Sequence, residues 1–409
     1  MGIIVQKFGG TSVGSVERIL NVANRVIQEK ENGNDVVVVV SAMGKSTDQL
    51  VDLASQMTAK PSKREMDMLL TTGEQVTISL LAMALLEKGY DAISYTGWQA
   101  GIKTEEHHGN ARITNINPDV IKKELTAGKI VVVAGFQGLS DTLQITTLGR
   151  GGSDTTAVAL AAALKVDKCD IYTDVTGVFT TDPRYVKGAR KLDAISYDEM
   201  LELANLGAGV LHPRAVEFAK NYNISLEVRS SMENERGTII EEEAKMEENL
   251  IVRGIAFEDQ VTRVSILGLP NELTTLSTIF STLAKHGLNV DIIIQNTTSD
   301  NKTSISFSIK TSDLEDTISI LEQHKSELNY ERIESESGLA KVSIVGSGMV
   351  SNPGVAAEMF KVMADQGIEV KMVSTSEIKV STVISGEQMV TAVDILHSAF
   401  DLSKATARV

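Results

Sequence analysis

Along residues 1–245, short apolar runs alternate with longer stretches whose apolar residues recur every three or four positions. Ile3–Val5, Val36–Val40, Ile130–Ala134 and Asp170–Thr173 are short and rich in β-branched residues, as strands covered on both faces are. Val16–Glu29, Met66–Lys88 and Thr155–Leu164 have helical length and spacing. This alternation predicts a mostly parallel sheet between layers of helices. Ligands of such sheets gather beyond the carboxyl ends of the strands. Lys7, Ser41 and Asp174 each follow a strand run, which directs all three to one crevice.

A charged stretch, Glu241 to Glu248, breaks the pattern and reads either as a linker or as a solvated helix end. A weak repeat follows it. Val264-Ser265-Ile266 with Gly268 matches Val342-Ser343-Ile344 with Gly346, and Ala284–Val290 matches Ala364–Val370. Each copy reads strand, helix, strand, strand, helix, the order of a ferredoxin-like βαββαβ unit. The first copy ends in a strand near Tyr330–Glu334, whereas the second ends in the polar tail Asp401–Val409. The extra strand Leu250–Phe257 is therefore expected to complete the second sheet. Three spans result: 1–245; an inserted 261–338; and 250–258 together with 339–409.

Two glycine-rich loops carry charge beside bare backbone. One is Lys7-Phe8-Gly9-Gly10-Thr11-Ser12 and the other runs from Thr147 to Thr156 through Gly149-Arg150-Gly151-Gly152-Ser153-Asp154. Each lies between a strand run and a helix run, where unpaired amides attract phosphate. A Walker A loop is excluded, because Gly9 and Gly14 have its spacing but Ser15 stands in the lysine position. The dinucleotide fingerprint fails at the second loop, where Asp154 replaces its last glycine. A lone Gly-Gly is more often an ordinary tight turn; Lys7 before it and the second loop shift the reading to an enzyme that handles phosphate and a second anion.

The chain has 409 residues, 42% of them hydrophobic, and a formal net charge of −15. Such length implies two or three domains. The charge argues against nucleic acid and anionic membranes as partners, so Lys7 and Arg150 stand out as local positive charge. Cys169 is the only cysteine and reads as a packed thiol. The opening Met1-Gly2-Ile3-Ile4-Val5 runs directly into a strand without a visible signal peptide. No apolar run approaches the ~20 residues that span a bilayer, and a cytoplasmic protein is expected. No His/Cys cluster has metal-ligand spacing, so no dedicated transition-metal site is expected.

Lys7 to Ser12, Ser41-Ala42-Met43-Gly44, Thr72-Gly73-Glu74, Thr147 to Asp154 and Phe179-Thr180-Thr181-Asp182-Pro183-Arg184 together resemble the aspartate kinase family, nearest its lysine-responsive Bacillus-type form. The resemblance implies an amino-acid-kinase α/β/α domain followed by two ACT domains. It implies transfer of the ATP γ-phosphoryl group to the side-chain carboxylate of L-aspartate, with Mg²⁺ arriving on ATP. A carboxylate acceptor needs no general base, so the protein's task is to hold two anions together and neutralise the charge that builds on the moving group. Lys7 is the candidate for that neutralisation, with the amides of Gly9 and Gly10 beside it. Asp154 is expected to orient Lys7 or a Mg²⁺-bound water, to cap a helix starting at Thr155, or both.

For ATP the resemblance implicates Lys7, Phe8, Gly9, Gly10, Ser41, Thr173, Asp174, Phe179, Thr180, Asp182 and Arg184. Asp-Pro-Arg is also ordinary turn chemistry. For aspartate it implicates Arg150, whose planar fork suits a carboxylate, with Gly152 and Ser153, Glu74 for the ammonium group, and Thr47. Glu74 also reads as a capping or solvated carboxylate. Family members often carry a lysine where this chain has Gly209, before Val210-Leu211-His212-Pro213, and that contact is not transferred. His212 reads as structural.

The repeats resemble ACT domains, which bind amino-acid effectors. The implied positions are Asn289, Val290, Asp291 and Gln295 in the first copy and Asn352, Pro353, Gly354 and Val355 in the second. Asn289 and Asp291 also read as ordinary strand-entry residues, and the second copy as a dimerisation module. Lysine is the expected effector, with threonine, or both together, as the alternatives. The expected assembly is a homo-oligomer or a complex with a shorter chain starting at Met246. Three further readings stay open on sequence alone: a kinase for glutamate, N-acetylglutamate or a nucleotide, a non-catalytic amino-acid sensor, and a truncated regulatory subunit.

Overall fold

The computed structural model describes residues 2–166, 168–242, 251–297 and 302–404, so Met246, Leu250, most of the charged stretch and the last five residues lie outside the described residues. The chain divides into two compact units. One comprises Met1–Val178, Lys191–Asn205 and Gly209–Glu248; the other comprises Phe179–Arg190, Leu206–Ala208 and Asn249–Val409.

The first unit runs β1 (Ile3–Phe8), α1 (Val16–Glu31), β2 (Asp35–Val40), α2 (Ser46–Met57), α3 (Lys63–Leu70), α4 (Thr72–Glu87), β3 (Ala92–Tyr95), β4 (Ile102–Thr104), β5 (Ile113–Ile116), α5 (Asp119–Thr126), β6 (Ile130–Ala134), β7 (Gln137–Ser140), β8 (Ile145–Thr147), α6 (Gly152–Leu164), β9 (Lys168–Thr173), β10 (Ala194–Ser196), α7 (Tyr197–Asn205), α8 (Pro213–Tyr222), β11 (Ser225–Ser230) and β12 (Thr238–Glu241). The main sheet has the order β10-β12-β11-β9-β1-β2-β6-β3. Only the β11–β12 pair in it is antiparallel. β1 lies in the middle, with Lys7 level with Val39 of β2 and Ile171 of β9, so the carboxyl ends of these strands open at one edge. A smaller sheet, β5-β4-β7-β8, carries the chain into the second glycine loop.

Helix α1 shows why the pattern folds as it does. Its buried residues Ile19, Val22, Ala23 and Val26 fall on one face, and Ser15 accepts from the Arg18 amide at its start, satisfying one of the otherwise unpaired first-turn donors. That face meets Val36, Val38, Val40, Val132 and Leu81 in one core. Helix α6 lies on the other side and is buried almost throughout; its alanines allow close packing on β1, β2 and β9.

Two helix boundaries differ from the sequence reading. Residues 66–88 form two helices, α3 and α4, that meet at Thr71. The Thr71 and Thr72 hydroxyls donate to the carbonyls of Met68 and Leu69, bonds that compete with the helical ladder. Helix α6 starts at Gly152, not Thr155, from Gly151 in the left-handed conformation with φ 70°. Asp154 therefore sits inside the first turn and does not cap the helix, which has no side-chain cap. The expectation about membrane-length segments is also corrected. Lys63–Glu87 is one helical stretch long and apolar enough, by length and composition, to cross a membrane. Its apolar residues Ile78, Leu81, Ala82 and Leu85 are buried in the core of the unit.

The second unit contains β13 (Gly254–Pro270), α9 (Thr275–Lys285), β14 (Ile293–Thr297), β15 (Lys302–Lys310), α10 (Leu314–Gln323), α11 (Lys325–Leu328), β16 (Arg332–Val345), α12 (Val355–Asp365), β17 (Met372–Thr375), β18 (Lys379–Ser385) and α13 (Met389–Ala399). They form one antiparallel sheet in the order β14-β15-β13-β16-β18-β17. The two long strands serve both repeats. Gly254–Glu258 pair with Lys341–Val345, and after bulges near Val261 the same strand pairs with Arg332–Glu336 and with β15. Each repeat has its own core, one around Ile266, Ile279 and Phe307 and one around Val342, Met359 and Leu396.

Candidate active site

A cavity of about 320 Å³ opens at the carboxyl end of β1 and β2 and is lined by Lys7, Gly10, Ser41, Ala42, Gly44, Thr47, Glu74, Phe136 and Gly149 to Asp154. Both glycine loops thus meet at one place. Gly10 lies where a Cβ would press on the carbonyls of Ala42 and Gly44, at 3.0 and 3.2 Å. The close approach is secured by the Gly44 amide, which donates to Gly10. Ser41 is fixed in turn by its amide bond to the Phe8 carbonyl, and Thr47 stands in the first turn of α2.

Lys7 and Asp154 form a close ion pair, Nζ to Oδ1 2.6 Å, with side chains 11% and 12% exposed. Two elements hold them face to face, the central strand and the first turn of α6. The ammonium therefore projects into the cavity without freedom to swing away, a charge preorganised for an anion. Arg150 stands on the exposed crest of the second loop. Among the described residues none forms an ion pair with it, which leaves its donors available. Ser153 packs beneath, close enough to Gly135 that a Cβ there would lie 2.7 Å from the Ser153 hydroxyl.

Glu74 is 3% exposed in the first turn of α4. One carboxyl oxygen, Oε1, accepts from the Ala42 amide at 3.1 Å, while Oε2 is buried without a partner. Burial pushes its pKa up to about 8, against the lowering effect of the backbone amides of Glu74 and Ala42. A buried carboxyl with an orphaned oxygen suits a cation brought by a ligand. Gly73 lets α4 come this close, since a Cβ there would stand 2.8 Å from that of Ala42.

Other expected positions stand differently. The Phe8 side chain is fully buried and stacks on Tyr172 with ring centroids 4.5 Å apart, so it is a core residue and can meet nucleotide only through its backbone. The Gly9 amide is also withdrawn, because it donates to the Tyr172 carbonyl at 3.2 Å; of the two amides expected beside Lys7, only that of Gly10 keeps the role. Thr173 ends β9 and Asp174 follows it, both outside the cavity lining, the Thr173 hydroxyl donating to Asp174. Phe179, Thr180, Asp182 and Arg184 belong to the second unit. There Thr180 bonds to His397 at 2.9 Å and Asp182 pairs with Arg184. His212 caps α8 through Nδ1, accepting from the Arg214 amide, and burial lowers its pKa.

Of the effector positions, Asn289 and Val290 precede β14 and Gln295 lies on that exposed edge strand. Asp291 is not open as expected. The buried Lys341 ammonium contacts its carboxylate and also Glu258, at 2.9 Å from the latter. In the second repeat the Asn352 side chain donates to the Gly348 carbonyl, Pro353 follows it, and Gly354, at φ 108°, leads into α12 at Val355.

Sequence reasoning missed Phe136 and Asp67, and gave Gly44, named within a motif, no role of its own. Phe136 lines the cavity in the left-handed conformation, φ 71°, held by its amide bond to the Thr156 hydroxyl and by its carbonyl, which accepts from Leu148. Asp67 is fully buried behind the second loop. Its signal was an acidic residue among apolar ones in a helix, the same signal that marked Glu74.

Residues 2–230 match the amino acid kinase family, and residues 262–329 and 342–400 each match an ACT domain. The chain is 76% identical over 408 residues to an aspartokinase of Bacillus sp. (strain MGA3), covering 100% of this chain and 99% of the relative. It is similar to E. coli aspartokinase III solved with aspartate and ADP in the R-state, at 28% identity and TM-score 0.82, covering 97% and 99% of the two chains. The same enzyme solved with lysine and aspartate in the T-state covers the same shares at 28% identity with TM-score 0.76. On its motifs, its cavity and a likeness that runs the length of the chain, this protein belongs to the aspartokinases, ATP-dependent kinases of the amino acid kinase family with two ACT domains after the kinase domain.

Proposed function

We propose that the cavity holds L-aspartate between Glu74 and Arg150 while Lys7 draws charge off the γ-phosphoryl group of ATP, giving 4-phospho-L-aspartate. The observation that carries this reading is the juxtaposition of one buried carboxyl with an orphaned oxygen, one fixed ammonium and one guanidinium around a single space. Aspartate presents one ammonium and two carboxylates. Glu74 takes the ammonium, Arg150 the α-carboxylate, with Thr47, Gly152 and Ser153 as lesser contacts. The side-chain carboxylate is then left facing Lys7. It is its own nucleophile, so positioning and charge neutralisation suffice. Asp154 holds Lys7 in place.

ATP is assigned to Lys7, Gly10 and Ser41 and, on family resemblance, to Thr173 and Asp174. The Phe8 and Gly9 backbone groups are engaged within the sheet edge, and Phe179, Thr180, Asp182 and Arg184 stand in the second unit, so no nucleotide contact is assigned to them. Mg²⁺ is assigned with it. The exposed Asp174 carboxylate, which accepts from the Thr173 hydroxyl, and Asp154 fit a hydrated ion carried by few carboxylates. Bound there, it would neutralise phosphate charge. Arg150→Ala raises the aspartate KM by about tenfold to 10²-fold, the scale of losing a charge-assisted hydrogen-bonded contact, and leaves the ATP KM unchanged. Steady-state assays with each substrate varied in turn check this, and a change in ATP KM alone would refute the placement.

The same reading makes the chain the first step of lysine, threonine and methionine biosynthesis in the cytoplasm, inhibited by an end product, with lysine as effector. A relative crystallised with lysine and aspartate supports it. The nested division into 1–245, 261–338 and 250–258 with 339–409 is supported by the pairing of Gly254–Glu258 with Lys341–Val345. Asp291, with its side chain 53% exposed, keeps acceptor capacity for an effector ammonium beside that of Lys341. Assembly as a homo-oligomer, or with a chain begun at Met246, belongs to the same proposal. Calorimetric titration of the full chain is expected to show lysine binding and Asp291→Asn weakening it, whereas heat from threonine alone would reassign the effector.

A further inference from the structure

We infer that Asp67 is a positioning residue for aspartate, acting through Thr147 on the loop that presents Arg150. Asp67 is a fully buried carboxylate on α3, away from the cavity lining. A charge in that position is retained only if it is well partnered, and it has three donors from two segments. The Thr147 hydroxyl donates to Oδ1 at 2.6 Å, the Gly109 amide reaches both oxygens at 3.1 Å, and His108 Nδ1 meets Oδ2 at 2.7 Å.

These bonds clamp the root of the glycine loop. The Thr147 carbonyl accepts from the Ala111 amide at 2.9 Å. One residue on, the Leu148 carbonyl accepts from Arg214 at 2.7 Å, and the same guanidinium bonds Asn110. Gly149 then passes so close to Asn110 that a Cβ would meet its side-chain oxygen at 2.9 Å. The next residue is Arg150, and on its far side Gly151 passes so close to His212 that a Cβ would meet its side chain at 2.2 Å. Arg150 is thus placed from two sides, and on the Thr147–Leu148 side Asp67 is the buried anchor.

The inference rests on the reading of Arg150 as the partner of the aspartate carboxylate. In steady-state kinetics on the full chain, Thr147→Val raises the aspartate KM about tenfold, the scale of lost outer-shell support, with kcat and ATP KM within about twofold. Thr147→Ser, which restores the hydroxyl, returns the aspartate KM toward wild type. Asp67→Asn gives at least the Thr147→Val effect, and the double variant is no worse than the larger single, since both act through one bond. If Asp67→Asn does not fold, the valine and serine pair still decides.

A Thr147→Val enzyme with wild-type aspartate KM, or with aspartate and ATP KM raised equally, overturns the inference. Arg150→Ala separates its failure from that of the underlying site. An unchanged aspartate KM in Arg150→Ala overturns the site and this inference together. A raised one beside a wild-type Thr147→Val overturns this inference alone.

Discussion

Lys7→Ala lowers kcat by about 10³-fold, the scale of losing one preorganised charge at a developing anion, while the aspartate KM stays within a few-fold of wild type. That loss corresponds to about 4 kcal/mol of barrier. The asymmetry follows from where Lys7 stands. Its ammonium projects into the cavity from the middle strand, clamped to Asp154 at 2.6 Å, and no contact with the aspartate ammonium or α-carboxylate is assigned to it. Removing it also leaves the Asp154 carboxylate unpaired beside the phosphate path, so repulsion adds to lost attraction. Trapping the acyl phosphate as a hydroxamate measures the rate directly, and near-normal turnover in Lys7→Ala would remove the residue from the mechanism.

Glu74→Gln raises the aspartate KM by about 10²-fold, because the substrate ammonium then meets a neutral amide in a buried site. The wild-type enzyme adds a pH signature. In the empty cavity burial keeps the Glu74 carboxyl protonated up to about 8, so below that pH aspartate binding must expel a proton. The aspartate KM therefore falls as pH rises from about 6 toward about 9, and the Gln variant loses this dependence. Stability moves in the opposite direction. The carboxyl's pKa is raised in the folded chain from 4.5 to about 8, so between these values the folded state holds a proton that the unfolded state has lost, and stability falls as pH rises through that window. Glu74→Gln flattens this component, which melting curves across the same range read out. A wild-type KM that is flat with pH would contradict the buried, ligand-seeking carboxyl.

The alternation of apolar runs and amphipathic helices carried the mostly parallel sheet and the strands β1, β2, β6 and β9 because parallel strands buried on both faces leave little choice of residue. The residues brought to the cavity were legible for a related reason. Lys7, Ser41 and Arg150 follow strands or bracket glycines, where backbone geometry advertises itself. Three features were hidden. Phe8 follows Lys7 immediately, and successive strand residues face opposite sides of a sheet, so Phe8 turned into the core while Lys7 faced the cavity. Phe136 owes its left-handed backbone to bonds with Thr156 and Leu148, which lie far along the chain and leave no local trace. The same holds for Asp291, whose sequence neighbours give no hint of the buried lysine fifty residues on. At Thr71 the two adjacent hydroxyls bond to the carbonyls of Met68 and Leu69, a local chemistry that the apolar period does not display.

A crystal structure of the full chain with L-aspartate, Mg²⁺ and a non-hydrolysable ATP analogue tests the central claim most directly. The account predicts the aspartate ammonium within hydrogen-bond distance of Glu74 Oε2, its α-carboxylate on the Arg150 fork, and Lys7 Nζ between the side-chain carboxylate and the terminal phosphate. Aspartate bound away from Glu74 and Arg150, or a terminal phosphate far from Lys7, would contradict it.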